Sequence, residues 1–78
     1  FAYNNRGNVK HKQNNYQEAV KDFDKAISIM PDYGYAFLNR GIAKEMLRDD
    51  KGACADWQKA LELGVNTADS YIKLQCNR

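Results

Sequence analysis

Few side chains in this sequence could do chemistry. His11 is the single histidine, and acid–base work would need a second group placed to orient its ring or share its proton. No residue at a matching spacing offers itself, so His11 reads as a surface or groove residue. The two cysteines, Cys54 and Cys76, stand outside any C-x-x-C motif, which leaves zinc sites and thioredoxin-like motifs without support. There is no glycine-rich phosphate loop, no Ser/His/Asp order and no metal-ligand spacing. The expectation is no catalytic residue, no metal and no cofactor.

Charged residues recur in register. The step from Arg6 to Arg40 equals the step from Asp22 to Asp56. If each Arg and Asp lie on the two helices of an antiparallel pair, they meet. The pairs expected are Arg6–Asp22 and Arg40–Asp56, or the cross-repeat pair Asp22–Arg40. The alternative is that both charges reach water along their stems. On a surface such pairs contribute only about 0–1 kcal/mol.

The elements that must position these residues follow from the same period. Sliding the chain on itself until Arg6 meets Arg40 aligns Ala2 with Ala36, Asn5 with Asn39, Gly7 with Gly41, Lys10 with Lys44, Ala19 with Ala53 and Ala26 with Ala60. Aromatic positions align too: Phe1 with Tyr35, Tyr3 with Phe37, Phe23 with Trp57. An internal repeat of this length signals a stacked helical array. Helices are expected from about Phe1 to Gln13, Tyr16 to Ile29, Tyr35 to Leu47, the Asp49-Asp50 region to Leu63, and Thr67 to the end. Asn14-Asn15 and Arg48-Asp49-Asp50 read as turns, and Pro31 cannot continue a helix. Asp49 or Asp50 is the N-cap candidate and Gly64 the C-cap. The units are 1–33, 34–67 and a partial third repeat or capping helix at 68–78.

Within each unit the spacing is specific. The first holds Tyr3, Arg6, Gly7 and Lys10, then Ala19, Phe23, Ala26 and Pro31; the second holds Phe37, Arg40, Gly41 and Lys44, then Ala53, Trp57 and Ala60. This resembles the tetratricopeptide repeat pattern, aromatic-x2-Leu-Gly-x2-Tyr, then Ala-x3-aromatic, Ala and Pro. The resemblance covers essentially the whole chain. Arg6 and Arg40 depart from it at the leucine position, Lys10 and Lys44 at the tyrosine, Val65 at the second proline, and Asp50 stands opposite Tyr16. The run from Trp57 to Gly64 also looks like the related Sel1-type repeats, whose period is longer. The resemblance implies an all-α fold of five antiparallel helices stacked as a right-handed α-solenoid. Its structural positions are Gly7, Ala19, Phe23, Ala26, Pro31, Gly41, Ala53, Trp57 and Ala60. Small residues there allow close helix approach, and Phe23 and Trp57 fill the space between paired helices.

The resemblance also implies a function: a protein–protein interaction module that holds a peptide segment or partner domain in a concave groove lined by the first helix of each repeat. Helical phase places Tyr35, Leu38, Ile42 and Met46 opposite the packing side of the third helix, making it apolar on two faces. Either neighbouring helices cover this stripe or a partner does. The polar part of the groove is Asn4, Asn8, His11, Asn39 and Lys73. Some members of the family grip a C-terminal carboxylate with lysines, asparagines and an arginine. Asn8, Asn39 and Lys73 match those positions in kind or charge, but Asn4 and Asp69 stand where lysines are needed, so no such clamp is expected. The second function class is self-association into a homo-oligomer, because solenoids need about three repeats and capped ends.

Bulk properties suit a soluble helical domain and argue against disorder. The chain has 78 residues, room for one small domain, with 44% hydrophobic and 28% charged residues. The net charge is +2 with the signs interspersed, which makes no electrostatic case for nucleic acid or an anionic membrane. No apolar run nears the roughly 18 residues of a spanning helix. The chain opens at Phe1 without an initiator methionine, as a segment cut from a longer protein would. Cys54 early in the fourth helix and Cys76 late in the fifth approach each other if those helices are antiparallel, as a disulfide or as two small buried side chains.

Overall fold

The computed structural model describes residues 1–76. They form five helices: α1 (Ala2–Lys12), α2 (Tyr16–Ile29), α3 (Gly34–Met46), α4 (Asp50–Glu62) and α5 (Ala68–Tyr71), the last running on into a π-helical turn at Ile72–Cys76. Consecutive helices pack on each other along the chain, α1 on α2, α2 on α3 and α3 on α4, while the final segment packs on α4. This is the stacked helix-turn-helix architecture of an α-solenoid. The last two residues of the expected fifth helix lie outside the described residues.

The helix ends are set by local chemistry. After α1, Asn14 takes a left-handed φ of 62°; after α3, Arg48 takes 64°; after α4, Gly64 takes 96°. In each case the next residue's N–H reaches back five residues, Asn15 to Lys10, Asp49 to Lys44 and Val65 to Ala60, at 2.8, 2.9 and 3.0 Å. This is the Schellman arrangement, which satisfies carbonyls the helix leaves open. Asn14 and Arg48 hold the same place in the two repeats, so one turn is built twice from different residues, and only the third uses glycine. Asp49 caps α4, its Oδ1 accepting from the Gly52 N–H at 3.0 Å. Helix α2 ends at Ile29, two residues before Pro31, which has no N–H to continue it.

The core has two centres. Around Trp57 gather Leu38, Ala53, Ala60, Val65 and Ala68, with Phe37, Ile42, Tyr71 and Ile72 packed against them. Around Phe23 gather Ala19 and Ala43, with Val20 alongside. Trp57 and Phe23 are the largest fully buried side chains. They fit because Gly41 and Gly7 face them: a methyl group on either glycine would stand 2.6 Å from the ring opposite. The mid-helix glycines thus offset their propensity cost of about 1 kcal/mol by admitting an aromatic ring between helices.

The fifth helix differs from its expected form. Only four residues are α-helical, and the next five follow the wider π spacing, with i to i+5 hydrogen bonds. Residue preferences do not separate the two spacings, so the repeat register predicts the segment but not its winding. Among the described residues no helix is long and apolar enough to cross a membrane.

Candidate partner-binding face

The charged residues build the frame. Arg6 on α1 donates to both oxygens of Asp22 on α2, at 3.0 Å from Nε and 2.7 Å from Nη2. Arg40 on α3 repeats this with Asp56 on α4 at 2.9 and 2.7 Å. Both aspartates are buried, 5% and 4% exposed, but only Arg40 is itself mostly shielded; the Arg6 side chain reaches solvent while holding its buried partner. Lys44 adds a second cation to Asp56 at 3.2 Å. Arg40 also donates from Nη1 to Asp24 on α2 at 2.8 Å, which ties the first repeat to the second.

The within-repeat pairs Arg6–Asp22 and Arg40–Asp56 form as expected; the alternative Asp22–Arg40 does not, and the bridge between repeats runs to Asp24. Two residues along a helix rotate a side chain by about 200°. Asp22 therefore faces α1 and is held by Arg6, while Asp24 faces α3. The second-repeat position that matches Asp24 is Gln58, so the period carried no signal for this bridge.

Asp22 also has a titration signature. The hydrogen bonds from Arg6 hold its carboxyl below the ordinary 3.8; burial opposes them, and the charges of Arg6 and Lys10 add to the lowering. A carboxylate with a lowered folded pKa stabilises the fold fully above its unfolded value, and the effect is lost as pH falls through the folded value. Between about pH 5 and pH 2 the urea midpoint of the native chain should fall more steeply than that of Asp22→Asn. Parallel curves would mean that Asp22 carries none of the acid sensitivity.

On the α1/α3 side, Asn39 donates to the Asn4 side-chain oxygen at 3.0 Å. Asn4, expected in the groove, is instead buried and serves the joint between repeats. Asn39 is half-buried, and among the described residues its side chain makes no hydrogen bond besides the one to Asn4. Asn8 and His11 are half-buried. The His11 ring packs edge-on against Tyr16 with centroids 5.1 Å apart, and its Nδ1 has no hydrogen-bond partner among the described residues. Among the described residues no carboxylate is bonded to this ring.

The apolar stripe of α3 divides. Leu38, placed on the groove wall by helical phase, is only 8% exposed and belongs to the core around Trp57. That is a correction: Val65, Ala68, Tyr71 and Ile72 gather in the same cluster, so the centre of the stripe serves internal packing. Ile42 is half-buried against that core. Tyr35 and Met46, at the two ends, are 59% and 50% exposed. They lie eleven positions apart, about 16 Å at 1.5 Å per residue, and on one face of the helix. Lys73 is exposed and paired with Asp69 at 3.0 Å, which offsets its charge toward an anionic chain end. Among the described residues no cluster of His, Cys, Asp or Glu is placed to hold a metal.

Comparison with known proteins agrees with this architecture. The family model of the tetratricopeptide repeat matches residues 1–33. RNA polymerase II-associated protein 3 of Xenopus tropicalis is 34% identical over 71 residues, covering 91% of this chain and 11% of that protein. The STIP1 homolog of Dictyostelium discoideum is 31% identical over 71 residues, 91% of this chain and 13% of its own length. Tetratricopeptide repeat protein 36 of Danio rerio is 40% identical over 45 residues, 58% of this chain and 24% of its own. The chain thus spans about a tenth of the first two relatives. The match over 1–33, the same spacing repeated one period later and the helix pairs stacked as described together support assignment of the chain to the tetratricopeptide repeat family.

Proposed function

We propose that this chain holds a segment of another polypeptide along the face made by α1, α3 and the final segment. The observation that carries the reading is the pair Tyr35 and Met46, exposed on one face of α3 about 16 Å apart. Tyrosine and methionine are common anchors at protein interfaces, and charged residues are depleted at interface centres. Between them Asn39 offers a donor and an acceptor suited to a peptide backbone, with Asn8, His11 and Lys73 as the polar surround. One relative is named for its association with RNA polymerase II, which is in keeping with a protein partner.

The test is to select binders from a random-peptide display and measure their Kd against the native chain and Tyr35→Asp/Met46→Asp. Loss of two apolar anchors should weaken binding at least tenfold. Stability should stay within about 0.5 kcal/mol, since both side chains are largely exposed. Binders whose Kd ignores the double substitution would overturn the assignment. A solution mass that rises with concentration, and ceases to do so in the same variant, would give this face to a second copy of the chain instead.

A further inference from the structure

The two cysteines are joined: Cys54 on α4 and Cys76 at the end of the π turn form a disulfide, with Cα atoms 5.9 Å apart. We propose that this bond is a redox latch that fixes the final segment over Trp57. The segment 68–76 has nine residues, four α-helical and five in the π turn, far below the length at which a helix holds itself in water. Its own grip is modest: Ala68 is buried and Tyr71 and Ile72 half-buried, but Leu74 is 71% exposed. What it covers matters more. Tyr71 stacks on Trp57 with ring centroids 5.2 Å apart, and Ile72 and Cys76 pack on the cluster that contains Leu38.

The latch can be reached. Both cysteines are half-buried rather than enclosed, so a thiolate in solution can attack a sulfur. A dithiol reductant forms a mixed disulfide with one cysteine and releases the other as a thiol. Its second thiol then displaces the first cysteine. The Cys54–Cys76 bond accepts two electrons and two protons, two S–H groups result, and the dithiol leaves as a cyclic disulfide. The segment loses its covalent tie while α1 to α4 keep their packing. Segments with few buried contacts open first and as a unit.

Trp57 is the single tryptophan, so its fluorescence reports on the segment that covers it. The experiment compares the intact chain before and after dithiothreitol, with thiols counted by Ellman's reagent. The count should rise from zero to two. Trp57 emission should shift to the red with greater acrylamide quenching, and amide protection at 68–76 should fall about a hundredfold. Protection in α1 and α2 should hold. Cys54→Ser/Cys76→Ser should show the reduced behaviour from the outset and ignore dithiothreitol. Three results overturn the proposal: two free thiols before reduction, unchanged Trp57 and 68–76 signals once both thiols are free, or loss of protection throughout the chain, which would make the bond a global staple.

Discussion

Replacing Trp57 by alanine is expected to cost about 3–5 kcal/mol, the range for truncating a large buried aromatic side chain. A chain of 78 residues has about 4–12 kcal/mol of total stability, so this one change removes much of it. The side chain is fully buried. It sits against Gly41 on α3, belongs to its own helix α4, and stacks on Tyr71 of α5, so three helices lose their shared filler. Trp57→Phe should cost far less, about 1 kcal/mol. It installs the aromatic residue that Phe23 supplies at the matching position, and it removes an indole N–H that has no hydrogen-bond partner among the described residues, a group costing roughly 1–3 kcal/mol when buried unsatisfied. Urea denaturation followed by far-ultraviolet circular dichroism measures both variants. Equal midpoints for Trp57→Ala and the native chain would show that this cluster is not the centre of stability.

Arg40→Met should be the next most damaging change, at about 2–3 kcal/mol. It strips two charge-assisted hydrogen bonds from Asp56, which is 4% exposed and cannot turn to water. Lys44 at 3.2 Å remains and keeps the cost below that of a wholly orphaned buried charge. The bond to Asp24 is lost as well, and with it a tie between the repeats. Arg6→Met removes the same bonds from Asp22, but the Arg6 side chain is 59% exposed against 18% for Arg40, and its ion pair lies within the first repeat. The loss there should be clearly smaller. Thermal unfolding of the two single variants and the double variant gives the ordering. A larger loss at Arg6 than at Arg40 would contradict the assignment of Arg40 as the joint between repeats.

Much of the fold was legible because the repeat is written in residues whose roles are local. Glycine faces the ring in both repeats, alanine lines the close approaches, and the Arg–Asp pairs recur with the period. The binding face was less legible. Leu38 and Met46 carry the same apolar signal on the same helix face, yet one is core and the other half exposed. Helical phase assigns a direction to a side chain; whether another element waits there depends on the path the chain takes much later. Asn4 misleads in a similar way. It looks like a groove residue by phase, but its carbonyl is committed to Asn39 across the repeat joint.

The helix pairs, their turns and the ring-against-glycine packing follow from periodicity, caps and side-chain size within one repeat. The remaining features follow from how the whole chain packs. That packing chose Asp24 as the cross-repeat partner of Arg40, drew Leu38 into the Trp57 cluster against which the final segment packs, and wound Ile72–Cys76 as a π turn tied by its last residue to Cys54. Each of these depends on where a distant element comes to rest. A one-dimensional pattern gives the direction of a side chain but not the distance to whatever lies beyond it.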